Sequence, residues 1–435
     1  MGILVKIAQR IHLYNGIRIT LHGVNRLVQV GFLDLLVSQI LVQGSSYFLQ
    51  FVIAAVLGAE EFASVRVTEI WIALAVLPAT LGIPTAVIKS VAEKRYSDKL
   101  ILSQSLSIVL ISSHAVAVSL FLIIGFFVDD QVVTLVRILV WSLGFSAITR
   151  TILAYFQGRK KIKEAARINT VTAIVGLIIT IGLTYWLGIH GWLIGRFLSE
   201  VSFAFWMLYL VRGRVQIIRH WHRELSNSLL RLGLFAMLTL LVARAINQGD
   251  VILLNLFIKD KIIIGNYGLS SLVRFVMILP VSMIAAIMLP YLVGKLNNPW
   301  NGIKFFLQMA GAGALVSFLL CLVVLLIPEY LFVAIMGQDF LYVFQYIRAL
   351  LPSVFFGALL PFTNNFLVAL GRTDLSFIVL FVGLIVDIGL SLWLIPRLGV
   401  YGSILSVNLT SIFNFIGQLT ILILFLRKKN FKVVS

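Results

Sequence analysis

Residues 175–187 read VGLIITIGLTYWL and residues 382–394 read VGLIVDIGLSLWL, identical at 9 of 13 positions. Both copies keep two glycines six apart and a tryptophan near the outgoing end: Gly176, Gly182 and Trp186 against Gly383, Gly389 and Trp393. Agreement of this kind between two distant apolar segments marks an internal repeat. Working outward, a shift of 202 lays Pro78 on Pro280 and places Ala63 and Ser64 of EEFASV over Gly265 and Asn266 of IIIGNY. YFQGR (155–159) faces LVALGR (367–372), and HGWLIG (190–195) faces YGSILS (401–406). The pairs are collinear, so the chain reads as two parallel halves of about six helices, with the functional site expected between them.

Composition sets the class. The 435 residues are 60% hydrophobic and 12% charged, with a mean hydropathy of +1.04; a soluble globule carries about twice that share of charge. Apolar stretches lie near 33–57, 67–90, 100–127, 131–157, 168–187, 191–211, 232–257, 266–293, 304–327, 340–370, 375–395 and 400–426. Each is about long enough to cross a hydrocarbon core as a helix, and lipid leaves open strands unsatisfied. The expectation is an all-α polytopic membrane protein of about twelve transmembrane helices, in two parallel-repeat six-helix lobes around a central cavity. Its organisation reads as a basic N-terminal segment (1–31), an N-lobe (32–212), a basic linker (213–231), a C-lobe (232–426) and a basic tail (427–435).

Lysine and arginine orient such a chain. Placing the N-terminal segment, the even-numbered connections and the tail on one side gathers 24 of them there, against Arg66, Lys259, Lys261 and Arg397 on the other. Both termini are therefore expected in the cytoplasm, and topology accounts for most of the +18 net charge. Nucleic-acid binding is a poor reading, because the basic residues are spread over short loops. The first 31 residues lack the compact apolar run and small-residue cleavage site of a signal peptide, and read as an interfacial helix on the anionic inner leaflet. Lys6 stands where myristoylation needs Ser or Thr. The single cysteine, Cys321, falls inside the ninth span and reads as core filling.

Charges inside the spans carry the functional information. Arg137, Arg150, Arg196, Arg244, Arg274 and Arg348 lie there, with Asp34, Glu69, Glu200, Asp250 and Asp387. Six lipid-facing arginines could cost on the order of 15 to 20 kcal/mol, so most must face protein or a water-filled cavity. An arginine-lined cavity suits an anion, since guanidinium forks bind phosphate bidentately. Arg244, midway along span seven, is the first choice for a substrate contact. Gln248 follows at i+4 on the same face, and Asn247 and Asp250 complete a polar ladder that packing alone explains poorly. Arg150, within a few turns of the midplane, is a second candidate to hold a substrate phosphate beside Arg244. Arg196 and Glu200, at i and i+4, form a self-neutralising pair, read equally well as structural or as part of coupling or gating. Asp387 stands where the first repeat has Thr180, and is a candidate for ion coupling or helix pairing. Arg137, Arg274, Arg348 and Glu69 are placed toward outer helix ends, where snorkelling accounts for them; Asp34 is placed at the inner interface. Prolines 78, 84, 280, 290, 352 and 361 can kink spans two, eight and ten.

The twelve spans in two halves, VLGAEEFASV after span one, its relative IIIGNYGL after span seven, and the glycine-ended fourth and tenth spans together resemble the polysaccharide-transporter flippases, of the superfamily that also contains the multidrug and toxic-compound extruders. The resemblance covers about residues 30–426. It implies export of undecaprenyl-pyrophosphate-linked oligosaccharide repeat units across a bacterial inner membrane by alternating access of two lobes, for O-antigen, exopolysaccharide or another surface glycan. A polysaccharide polymerase and chain-length machinery are the implied partners. No enzyme activity and no metal or organic cofactor is expected; proton or sodium coupling through Asp250, Asp387 or Glu200 is compatible with the charge set. Ala63 stands where relatives usually carry glycine, which bears on the local turn geometry.

Two other readings compete. A cation-coupled multidrug exporter of the same fold would favour a cavity dominated by acids. A membrane glycosyltransferase would use paired acids such as Glu60-Glu61 or Asp129-Asp130 on the outer side, but the outer connections are about a dozen residues or fewer.

Overall fold

The computed structural model describes residues 32–213, 215, 221–296 and 299–427. The N-terminal segment 1–31, tail residues 428–435 and part of the linker lie outside the described residues, as does the side chain of Asp34. The helices are α1 (Phe32–Thr80), α2 (Ile83–Glu93), α3 (Asp98–Ile123), α4 (Asp130–Leu139), α5 (Leu143–Gly158), α6 (Ile162–Val211), α7 (Arg223–Phe257), α8 (Lys261–Lys295), α9 (Pro299–Leu326), α10 (Glu329–Met336), α11 (Val343–Ala369), α12 (Thr373–Leu398) and α13 (Val400–Arg427). Among the described residues every regular element is helical, which keeps all backbone polar groups paired within their own segment.

Ten helical stretches are long and apolar enough to cross a membrane. Two of them, Leu41–Glu93 and Lys163–Leu210, are about twice the length of one crossing. Each reverses at a glycine in a conformation that side chains resist: Gly58 (φ 75°, ψ 175°) and Gly188 (φ 59°, ψ −138°). The Gln50 amide donates to the Glu69 carboxylate across the first turn, although a straight helix would hold residues 19 apart at about 28 Å. Across the second, Gly191 packs on the Leu183 backbone and Gly195 on Thr180. The described chain therefore crosses twelve times. Ala63, five residues past Gly58, is buried and helical and takes no part in the turn.

The second half turns at Gly399 (φ 58°, ψ −134°), with Gly402 packed on Leu394. Gly188 and Gly399 are 211 apart, like HGWLIG and YGSILS, whereas the 13-residue repeat is offset by 207. Residues 395–398, IPRL, are thus an extra helical turn between the repeated segment and the reversal. In the register of the turns, Thr180 matches Ser391 and Asp387 matches Gly176. Thr180 meets Gly195, and the Ser391 hydroxyl bonds that of Ser406 at 2.9 Å.

Calling the ends that carry the basic connections inner, the packing differs along the membrane normal. In the outer half the core is continuous between lobes: Val67, Ile70 and Val136 pack with Val251, Ile264, Tyr267 and Leu350, and Ile53, Phe62 and Trp192 with Leu269, Phe340 and Val354. In the inner half there are two cores, one around Ile83, Ile101 and Ile148 and one around Val281, Phe306 and Phe362. The lobes are fused outside and separate inside. Helix α7 bridges them: its first turns, which begin at Arg223 within the expected linker, place Leu225 and Leu229 in the N-lobe core, and Gly233 meets the backbone of Leu81 and Gly82. In lipid, where apolar burial brings no gain over acyl chains, such close approaches at small residues hold helices together.

Candidate functional site

Just inside the fused outer half is a cavity of about 400 Å³. Its walls are polar stripes at helical spacing on otherwise apolar helices: Tyr47 and Gln50 before the Gly58 turn and Arg66 and Glu69 after it, Ser146 and Arg150 on α5, Arg196 and Glu200 on α6, Arg244 and Gln248 on α7. Leu272 of α8 closes the C-lobe side. Four guanidinium groups face two carboxylates.

Internal pairing satisfies only part of this set. Arg196 Nη2 lies 3.5 Å from Glu200 Oε1, Arg150 Nε donates to Ser146 Oγ at 3.4 Å, and Glu69 accepts from Gln50. Arg66 is 4% exposed, and its Nε and Nη2 have no hydrogen-bond partner. The charged or ionisable groups around it are Glu69, Asp250, Arg244 and Tyr47. Its stem rests on Gly268 of α8, so it bridges cavity and lobe interface. A buried donor without a partner costs about 1–3 kcal/mol. Both nitrogens are closed off from the cavity in this conformation, so an anion relieves that cost only where α7 and α8 move off Arg66.

Of the residues singled out in the sequence, Arg244, Arg150, Gln248, Arg196 and Glu200 line the cavity. Asn247 does not: its side-chain amide donates to Ala243 O on its own helix at 2.8 Å, and its backbone carbonyl accepts from Arg274 at 3.2 Å. Asp250 and Asp387 are buried in the C-lobe. Asp250 Oδ2 accepts from Tyr267 Oη at 2.6 Å, and Tyr267 in turn accepts from Ser403 at 3.1 Å. Asp387 Oδ1 accepts from Ser406 and Thr410, both at 3.0 Å. Arg274 and Asp250 both lie within electrostatic reach of Asp387.

Three expected positions are corrected. Arg66 is a buried cavity residue, not part of an outer connection. Glu69 lines the same cavity, eleven residues past the turn. Arg274 lies thirteen residues inside α8, about 20 Å from its end, and is buried. The first two errors arise from reading polar residues after an apolar run as loop, when Gly58 alone makes the turn and the polar residues are helical and face inward; Arg274 lies deeper than expected because α8 begins at Lys261, five residues before the expected span. Arg137 and Arg348 do sit near outer ends: Arg137 over the Phe121 ring and on its carbonyl, Arg348 paired with Glu329 at 2.7 Å. Sequence reasoning also missed Tyr47 and Gln50; the signal for them is their i, i+3 spacing opposite Arg66 and Glu69 across Gly58. Among the described residues no cluster of His, Cys, Asp and Glu could hold a metal ion.

Fold and cavity together define a two-lobed polytopic membrane protein with a polar chamber walled mainly by the N-lobe and closed on the C-lobe side by α7 and α8. The architecture is that of transporters of the MOP superfamily. It is similar to the lipid II flippase MurJ in an inward closed conformation (TM-score 0.75, 13% identity, 89% of this chain and 87% of that one). It is also similar to an inward-facing multidrug resistance MATE family transporter (0.72, 15%, 89% and 96%) and to a MOP superfamily transporter from Pyrococcus furiosus described as having a binding pocket of reverse polarity (0.58, 16%, 91% and 96%). The sequence profile described as polysaccharide biosynthesis protein matches residues 30–295. The chain belongs to that family. No curated protein matches it in sequence.

Proposed function

We propose that this protein is a flippase for polyprenyl-pyrophosphate-linked oligosaccharide repeat units, working by alternating access in a bacterial inner membrane with both termini in the cytoplasm. The observation that carries the reading is the cavity, lined by four arginines against two carboxylates. That is the donor set a pyrophosphate satisfies. Membership of the polysaccharide biosynthesis family and the fold shared with a lipid II flippase support a lipid-linked sugar as substrate. The headgroup enters between the separate inner cores and its phosphates meet Arg244 and Arg150, then Arg66, while the polyprenyl tail stays in lipid. Parting of the outer core then releases it outside, to a polymerase and chain-length machinery. Asp250 and Asp387, charges buried away from the cavity on α7 and α12, are the groups we assign to ion coupling; Arg196 and Glu200 gate the inner side.

The test is transport of a fluorescent polyprenyl-pyrophosphate oligosaccharide in proteoliposomes, with a cationic dye as competing substrate. Arg244→Ala and Arg66→Gln should each lower lipid-linked sugar movement at least tenfold with unchanged protein in the membrane, the dye being ignored. Full transport in both variants would remove the cationic cavity from the mechanism. Dye export under an ion gradient without lipid movement would instead establish the multidrug exporter that the MATE-like fold and the cavity carboxylates Glu69 and Glu200 also suit.

A further inference from the structure

A second cavity, of about 290 Å³, lies at the inner ends of α5 and α6, lined by Phe156, Lys161, Glu164, Arg167, Ile168 and Leu210. Its wall has two characters. Phe156 from the last turns of α5, Ile168 beside Arg167 near the start of α6, and Leu210 from the far end of α6 make an apolar floor. Lys161, Glu164 and Arg167, at i, i+3 and i+6, form a charged rim on one face of the first turns of α6. Lys161 Nζ bonds both Glu164 oxygens at 2.7 Å, which neutralises that pair. The exposed Arg167 carries no ion pair among the described residues. Residues 159–167, RKKIKEAAR, hold five basic residues against one acid; Arg159 is paired with Asp98 at 3.4 Å, and the uncapped α6 N-terminus carries Glu164 in its first turn, held by Lys161. The Arg212 guanidinium, beside Leu210, lies 4.3 Å from the centre of the Tyr209 ring, an aromatic and cationic pairing typical of a membrane interface.

We propose that this cavity seats an anionic glycerophospholipid of the leaflet the basic ends meet, the phosphate at Arg167 and the α6 N-terminus and the first acyl methylenes on Phe156, Ile168 and Leu210. A soluble anion would have no use for the apolar floor. A protein partner needs on the order of 800 Å² on each side, more than this pocket offers. The site is distinct from the chamber between the lobes and does not depend on the transported substrate.

Native mass spectrometry of the intact, detergent-solubilised protein tests this, titrating phosphatidylglycerol and phosphatidylcholine. The wild type should retain phosphatidylglycerol preferentially, and Arg167→Gln should lose about fivefold of that preference, as removal of one basic residue at an anionic surface predicts. Arg167→Lys should keep part of it, and Lys94→Gln, on another inner connection, should change nothing. Equal losses in Arg167→Gln and Lys94→Gln would mean diffuse surface charge and overturn the proposal, as would no loss in either. A polyprenyl phosphate that binds more tightly than phosphatidylglycerol and loses affinity with Arg167 would also overturn it, making the pocket a loading site for a prenyl lipid. An unchanged thermal transition in Arg167→Gln excludes misfolding.

Discussion

Gly182 and Gly191 lie nine residues apart, on opposite arms of the α6 hairpin, and meet opposite surroundings. A Cβ at Gly191 would stand 1.8 Å from the Leu183 carbonyl oxygen, whereas one at Gly182 would meet nothing within 4 Å. Gly191→Ala should therefore destabilise the protein by about 1–3 kcal/mol or more, as overpacking does. Gly182→Ala should stabilise by up to about 1 kcal/mol, because alanine is the better helix former. Thermal unfolding of the purified variants reads the difference, and a reversed order would contradict the hairpin at Gly188. Arg66 makes the complementary point. Its residue type and its spacing from Glu69 are visible in the chain, but its burial and its unpartnered nitrogens depend on α7 and α8 packing over it.

Among elements, the hairpins α6 and α12–α13 carry the repeat and differ by one helical turn. The extra turn sets Asp387 in the place of Gly176, so the position that meets Phe203 and Ser199 in the first half holds in the second a carboxylate 2% exposed. With Asp250 on α7 it puts two acids in the C-lobe interior, a feature the N-lobe hairpin lacks. Asp387→Asn keeps an acceptor for Ser406 and Thr410 and removes the charge. We expect lipid-linked sugar transport in proteoliposomes that no longer responds to an imposed proton or sodium gradient. A gradient response equal to the wild type would take Asp387 out of coupling. The repeat and its four-residue insertion were both legible by direct comparison, as offsets of 207 and 211; that the insertion, despite Pro396, continues the helix and moves Asp387 into the place of Gly176 needed the structure.

For the whole molecule the decisive contact is at the outer face. Lys261, at the start of α8, reaches across the lobes to Gln131 at 2.7 Å, Asp129 at 3.2 Å and Ser64 at 3.4 Å, and a Cβ on Gly265 would stand 2.0 Å from the Ala59 carbonyl oxygen. A partly exposed ion pair contributes at most about 1 kcal/mol, so this contact can yield during a transport cycle. Lys261→Cys and Asp129→Cys in a Cys321→Ser background, bridged by a short reducible bis-thiol reagent that spans the length of the lost lysine side chain, should stop transport, and reduction should restore it. Undiminished transport by the cross-linked protein would mean that the lobes need not part at this end. The two-lobe frame belongs to the sequence reading; the fused outer half and the separate inner cores belong to the structure.

By itself the sequence determined the membrane class, the twelve crossings, the parallel halves, the asymmetry of basic residues and the presence of arginines that lipid would reject. Each follows from quantities that are local along the chain: hydropathy over about twenty residues, charge per connection and identity at a fixed offset. The tertiary structure alone decided which arginines share a chamber, drew in Arg66 and Glu69, and turned Asn247 away. Helical spacing states which residues share a face, but only packing states what that face meets. A turn made by the single residue Gly58 leaves no polar loop for hydropathy to register.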